Sequence, residues 1–423
     1  VARPRIAAIT RRLSVCAIKI AAEASTPAAI PVCDAMIQWL TVKAKILPWT
    51  IVIRQAVVAS ATFSITGVIL RFMLQLTRLA PKLLQHRGIL VRSIRGLQMP
   101  KNSYRPFTPK SEQVALMPSV SGNEINGVGD SEWRRASPIY WHDPDTLAHG
   151  ELQKWFYTQN TNDPHIIKAR EDRAEILAIE VPPVSGEPLE QSAEEWTAQL
   201  KAHVDTLDMD LFGIARFRQA WAFDGVTIPQ KWIIMIGIAH DYERIKDAPA
   251  LSAGAEVVRQ YGRGTKAAKD IAAWIHDRGW DAVPHGGPLA GPVLLIPPAI
   301  ECGFGELGKH GSIINKKYGS SFRLASVLTD VPLVPTGKEA YDVDDFCSRC
   351  QVCANACPPE AIMPEKTMVR GELKWYVDFD KCIPFFNESA GCAICIAACP
   401  WSIPGRGERI VEQLARRRQK RSA

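Results

Sequence analysis

Cys347-Ser348-Arg349-Cys350-Gln351-Val352-Cys353-Ala354-Asn355-Ala356-Cys357-Pro358 is the stretch on which the reading of this chain turns. It is a Cys-x2-Cys-x2-Cys-x3-Cys-Pro run, and a second run follows it: Cys382, then Cys392-x2-Cys395-x3-Cys399-Pro400. An x2 spacing lets neighbouring thiolates wrap one face of a metal cluster in a tight loop. The first run has the spacing in which three cysteines hold one 4Fe–4S cubane and the fourth crosses to another. The proline after each run turns the chain away and withdraws an N–H donor. The predicted ligand sets are Cys347, Cys350, Cys353 and Cys399 for one cluster, and Cys357, Cys382, Cys392 and Cys395 for the other. The wide Cys382-to-Cys392 gap departs from the pattern and is expected to be absorbed in a loop. A pair of zinc knuckles is the competing reading; eight cysteines with two Cys-Pro endings favour clusters.

Working outward, the whole chain has 423 residues, more than one core usually holds, so at least two structural units are expected. It is 47% hydrophobic and 22% charged, an ordinary globular composition that excludes a disordered chain. Its 30 prolines and 28 glycines have no short period, which excludes collagen-like architecture. Only Cys16, Cys33 and Cys302 lie outside the dense cluster, so a disulfide framework is excluded as well.

The net charge of +7 conceals an asymmetry: residues 1–110 hold 17 Lys and Arg against Glu23 and Asp34, and the body beyond them is mildly acidic. Residues 1–100 are read as a basic, partly apolar helical arm. Thr10-Arg11-Arg12-Leu13-Ser14-Val15 faintly follows a twin-arginine pattern. The apolar run after it is short and broken by Lys19 and Glu23, so export is not expected. Gln55 to Leu70 is uncharged but shorter than the ~20 residues of a full span. With flanks such as Lys43, Arg78 and Arg87 it suits either an anionic membrane surface or a solvated basic helix. The chain is therefore expected to be cytoplasmic or membrane-associated.

Residues 101–159 read as a Pro- and Gly-rich linker. From 160 to 340 helical and strand patterns alternate. A helix is predicted over Gln191 to Leu207, strands over Asp210 to Ala215 and Trp232 to Ala239, and a long helix over Leu251 to Asp277. The expected class is α+β, an α/β sandwich with a mixed sheet covered by helices. Residues 341–405 form the cluster module, and 406–423 a basic tail. No Walker A motif and no strand-following Gly-x-Gly-x-x-Gly is present. Gly262-Arg263-Gly264-Thr265-Lys266 falls inside the long helical pattern and is rejected as a phosphate loop.

The segment before the cysteines carries Gly303, Gly305, Gly308 and Gly311. Glycines so spaced let backbone approach a large flat ligand, though tight turn packing explains them equally. Together with Tyr318-Gly319, Arg323 and Thr329-Asp330-Val331-Pro332-Leu333, the segment Ala299 to Gly311 resembles the corrinoid- and iron–sulfur-dependent reductive dehalogenases. That resemblance extends over residues 160–405. The epoxyqueuosine reductases share its plan, but they have Trp where this chain has Glu306.

The resemblance implies a nitroreductase-like core that binds cobalamin base-off, followed by a ferredoxin-like two-cluster module. The Asp-x-His-x-x-Gly element of His-on corrinoid proteins is missing, in agreement. It further implies the four glycines as corrinoid contacts, an organohalide substrate, and an external electron donor (ferredoxin, flavodoxin or a membrane quinol system). Replacing halogen by hydrogen consumes electrons and a proton. The resemblance gives the proton to Tyr261 and the neighbouring positive charge to Arg323, since a nearby cation eases proton loss from a phenol. A core tyrosine and a surface arginine are the plain alternative. His285 falls near a substrate-pocket position of the family, and Trp221, Trp274 and Trp280 could line an apolar pocket or simply fill the core. Two other functions fit parts of the chain: tRNA modification, using the basic tail Arg416 to Arg421 on RNA phosphates, and non-catalytic electron transfer. A nucleic-acid partner is not expected, because such a tail is equally a solvated helix end.

Overall fold

Trp232 to Ala239 is apolar at almost every position because both faces of its strand are covered. It lies in the interior of a four-stranded sheet made of β1 (Leu211–Arg216), β2 (Trp232–Ala239), β3 (Ala282–His285) and, after the short hairpin β4–β5 (Glu306–Leu307 and Ile313–Ile314), β6 (Phe322–Thr329). The computed structural model describes residues 104–422 apart from 160, 289 and 290. The basic arm, its apolar run, the twin-arginine segment, Cys16 and Cys33 fall outside the described residues.

Strand order is β1-β2-β6-β3 and every pairing is antiparallel, with Ile234 opposite Val327 and His285 opposite Ser326. The expected mixed sheet is thus corrected. The alternation of strand and helix that suggested parallel neighbours is real: β2 and β3 run the same way and are joined by a long helix. β6 inserts between them in the opposite sense, so no two adjacent strands are parallel. Pro284 sits in β3, at the sheet edge, where its missing N–H costs no ladder bond.

Odd and even positions along the strands face different layers. Ile234, Ile236, Ile238, Ala325 and Val327 pack against α3 (Ala193–Val204) and α4 (Leu251–His276). The opposite face, with Ile233, Met235, Phe322 and Leu328, is covered by Trp221, Val293, Leu295, Phe304 and, from helix α5 (Ile296–Glu301), Ala299. Each fully buried isoleucine contributes about 1.5–3 kcal/mol relative to exposure. Ser192 and Glu195 form a capping box that starts α3. α4 is 26 residues long and rich in small residues on its sheet side. Gly264 is there because an added Cβ would sit 3.3 Å from Cβ of Ala325, so the rejected phosphate loop is a helix–sheet contact. On its outer side α4 carries α2 (Pro164–Ala178), whose N-cap Asp163 accepts from His165 N and Ile166 N at 3.0 Å each.

The three tryptophans do not share a pocket. Trp221 belongs to one sheet face; Trp274 and Trp280 pack on the other, Trp274 edge-on to Trp196 and Trp280 donating to Leu189 O at 3.1 Å. Of the two readings, core packing is the one found, on two separate faces of the sheet.

The cysteine-bearing region folds as short helices α6 (Val343–Arg349), α7 (Val352–Ala356), α8 (Phe379–Glu388) and α9 (Ile394–Ala398), with the hairpin β7–β8 (Thr367–Val369 and Glu372–Lys374), closed by the tail helix α10 (Arg406–Ser422). Helix α1 (Gly150–Thr158) and the segment before it, read as a linker, pack along this region. Asn123 donates to Asp378 at 2.9 Å, and Gln113 accepts from buried Asn387 at 2.9 Å. Polar residues there satisfy buried groups of α8, a role that hydrophobic periodicity does not register. The tail is half core: Ile410 and Leu414 are buried against Trp401 and Cys399. Among the described residues no helix is long and apolar enough to cross a membrane.

Candidate active site and cluster centre

Helices α6 and α7 carry the first cysteine run, and each ends on an extended cysteine, Cys350 and Cys357. Pro358 explains the second of these, since a residue before proline is driven out of the helical region; Cys399 before Pro400 behaves the same way. The wide gap after Cys382 is not a plain loop. α8 continues for six residues past Cys382, and the chain then reverses through left-handed φ values at Ala390, Gly391, Cys392 and Ala393.

Cys347, Cys350, Cys353 and Cys399 line one pocket, together with Lys309, His310, Ile314, Phe346, Pro400 and Trp401. Cys357, Cys382 and Cys395 gather with Cys353 around Ala361 and Ile362, and Cys392 lies in the electrostatic neighbourhood of Cys357 and Cys382. All eight are free thiols. Burial, followed by the nearness of other thiols, pushes Cys353, Cys382 and Cys399 up to about 12; for Cys399 a backbone hydrogen bond from Trp401 partly offsets this. A buried set of thiolates therefore needs a positive centre to exist as thiolates.

The four glycines sit on and around the β4–β5 hairpin, and their nearest neighbours are protein atoms. Gly305 has φ +135°, and a Cβ there would overlap the Ile314 carbonyl. At Gly308 it would stand 2.6 Å from Ile314 Cδ1, and at Gly311 3.2 Å from Val377 Cγ2. Gly303 has φ +79° and faces the Gly337 carbonyl. Ile314 leaves no room for a side chain at Gly305 and Gly308, and Gly337 and Val377 approach closely at Gly303 and Gly311. Glu306, the residue that differs from the epoxyqueuosine pattern, accepts from Val343 N at 3.3 Å and from Tyr341 N, tying the hairpin to the start of α6.

Tyr261 on α4 and Arg323 on β6 meet: the guanidinium carbon is 5.3 Å from the tyrosine ring centroid. Tyr157 and Arg173 lie in the same electrostatic neighbourhood, and Arg173 donates to Gly287 O at 2.9 Å. Gly287 has no room for a side chain, since a Cβ would strike the Tyr261 ring. Beside this pair, Arg323 Nε and His240 Nε2 are buried with no protein partner among the described residues; Ser326 Oγ and His285 Nε2 are also unpartnered, but they belong to the other face of the sheet. Such atoms cost free energy unless something satisfies them.

Sequence reasoning missed His240, Ser326, Lys309 and Trp401. Nothing local marks the first two. Lys309 was visible as a cation inside a glycine-rich apolar stretch, the one signal that could have found it.

His310 and His240 connect the two centres. His310 Nε2 is 3.0 Å from Ser320 Oγ, and His240 Nδ1 is 3.2 Å from Ser321 Oγ. Burial lowers His310 to about 4, and burial followed by the Arg323 charge lowers His240 well below the usual histidine range. Both are neutral in the fold, whereas the unfolded chain takes up their protons below about pH 6.5. The unfolded state then binds more protons, so stability falls with acidification between pH 6.5 and about 4. His310 alone accounts for about 3 kcal/mol of that loss. Thermal melts of the wild type and of His310→Gln across this window should show a shallower acid decline in the variant, and an unchanged slope would contradict the assignment.

A family model described as a 4Fe-4S dicluster domain matches residues 346–403. The chain is 31% identical over 207 residues to the tetrachloroethene reductive dehalogenase of Dehalobacter restrictus, covering 46% of this chain but 37% of that one. It is 32% identical over 128 residues to the epoxyqueuosine reductase of Leadbetterella byssophila, covering 26% and 38%. Among solved structures, the catabolic reductive dehalogenase NpRdhA, in complex with 3-bromo-4-hydroxybenzoic acid, superposes with a TM-score of 0.58 at 21% identity over 70% of this chain and 46% of that one, a likeness of fold. The alignment to the Dehalobacter protein thus spans well under half of that relative's length. Over nearly half its length this chain is similar to reductive dehalogenases, and residues 346–403 match a 4Fe-4S dicluster domain model.

Proposed function

We propose that this protein is a reductive dehalogenase that uses base-off cobalamin and two 4Fe–4S clusters to replace halogen by hydrogen on an organohalide, with electrons from an external low-potential donor. The observation that carries this reading is the buried polar row from the cysteine pocket to the Tyr261–Arg323 pair: His310 to Ser320, Ser321 to His240, then Arg323 two residues along the same segment. Electron-carrying and proton-bearing chemistry lie at the two ends of one short stretch of backbone.

Cys347, Cys350, Cys353 and Cys399 are the ligands of one cluster; Cys357, Cys382, Cys392 and Cys395 hold the other. In support, no three His, Cys, Asp or Glu side chains among the described residues converge as a single ion requires, while the thiols spread around a pocket. The orphaned Arg323 Nε and His240 Nε2 beside Tyr261 suit a ligand that brings its own hydrogen-bonding groups. Cobalamin, if bound beside Tyr261 and Arg323, would supply the low-potential metal centre for reductive cleavage of a carbon–halogen bond. Tyr261 gives its phenolic proton to the carbon that loses halide. Arg323 holds positive charge beside the phenolate that results and favours the departing anion. Burial, followed by the Arg323 charge, holds His240 well below the usual histidine range.

Anaerobic reconstitution with iron, sulfide and cobalamin, followed by a halide-release screen with a reduced viologen, tests the function. Turnover with corrinoid and none without it is expected. A protein that assembles both clusters but neither binds corrinoid nor releases halide would be an electron carrier instead.

A further inference from the structure

The pocket formed by Cys347, Cys350, Cys353 and Cys399 has a single charged side chain besides the thiols in its lining, Lys309. Lys309 stands in the turn between β4 and β5, is 1% exposed, and its ammonium has no hydrogen-bond partner and no ion pair. Its surroundings offer the face of Trp375, 4.7 Å from Nζ. The Lys309 backbone also hydrogen-bonds the Cys347 sulfur, so the residue is fixed against the pocket wall at both ends. The near-by acidic group is spoken for: Asp344 pairs with Lys366 at 2.8 Å and accepts from Trp375 Nε1 at 2.8 Å. His310, the other basic residue of the lining, is buried with Nε2 3.0 Å from Ser320 Oγ.

An ammonium taken out of water without a counter-charge is strongly unfavourable, and one ring face does not compensate for it. The fold nonetheless places one here. A cubane bound by four thiolates is an anion, and each added electron makes it more negative. A fixed cation beside it therefore stabilises the reduced form more than the oxidised form.

We propose that Lys309 is the built-in counter-charge of the cluster held by Cys347, Cys350, Cys353 and Cys399, and that it raises the reduction potential of that cluster selectively. Among the described residues the other cysteine group has no equivalent buried and unpaired cation. Arg105, which donates to the Cys357 carbonyl at 3.0 Å, is partly exposed and already paired with Glu360 at 2.9 Å. The inference rests on the cluster assignment above, but not on dehalogenation or corrinoid binding.

The test uses the full chain, reconstituted with iron and sulfide and free of corrinoid, in an EPR-monitored redox titration. In Lys309→Met and Lys309→Gln, the ratio of reduced to oxidised form at a given potential should fall about tenfold for one cluster, a downward shift of about 59 mV for a one-electron couple. The second cluster should stay in place, and Lys309→Arg should keep the wild-type value. Unmoved midpoints in the Met and Gln variants overturn the proposal, as do equal shifts of both clusters or an Arg variant displaced as far as Met. Should the uncharged variants lose one cluster outright, an Arg variant with full iron and wild-type potential supports the counter-charge, and an Arg variant that also loses it overturns it. Failure of the underlying cluster reading is distinguishable, because the wild type itself would then lack two 4Fe–4S signals.

Discussion

Tyr261→Phe should lower halide release by at least about 10²-fold, the usual contribution of a positioned general acid. Iron and corrinoid content should be unchanged. The substitution removes only the hydroxyl. The ring that fills the space beside Gly287 and faces the Arg323 guanidinium at 5.3 Å remains, so the melting temperature should move little. The comparison is made under saturating reduced viologen, where electron supply does not limit. A variant that turns over like the wild type would show that the proton comes from elsewhere, with Tyr157 the next phenol in that neighbourhood.

Cys399→Ala should cost the protein half of its cluster iron, although Cys399 lies far along the chain from the first cysteine run. The reason is the crossing of ligands. Cys399 shares a pocket with Cys347, Cys350 and Cys353, whereas Cys357, four residues beyond Cys353, sits with Cys382 and Cys395. Iron analysis and EPR should find one intact cluster in Cys399→Ala and the complementary one in Cys357→Ala. Cys347 and Cys399 also share a core with Trp401, Ile410 and Leu414. Loss of the metal centre should therefore loosen α10 and lower the melting temperature, because metal-binding free energy is folding free energy in such a module. If the two variants lose the same cluster, the crossing is wrong.

Much of this arrangement was legible in the residues. The strand Trp232 to Ala239 and the long helix from Leu251 were set by apolar period and length, and the structure places both at nearly the expected limits. The start of α3 was written in Ser192 and Glu195. Sheet order was not legible, because a β2–helix–β3 crossover reads alike whether the strands adjoin or a later strand slips between them. The glycines of the β4–β5 hairpin were ambiguous for a related reason. Spacing suggests that side chains are excluded, and only the neighbours, such as the Ile314 carbonyl at Gly305 and the Ile314 side chain at Gly308, show what approaches there.

Cysteine spacing by itself determined the two-cluster module, since short covalent loops can present thiolates in few ways. Motif order determined the likeness to the reductive dehalogenases. The tertiary structure decided which groups are buried without partners. Lys309 comes from the β4–β5 turn, His240 from just past the end of β2, and Arg323 and Ser326 from β6. Their unmet charge and hydrogen-bonding capacity arises only when packing removes water from all of them, and no local pattern of residues encodes that desolvation.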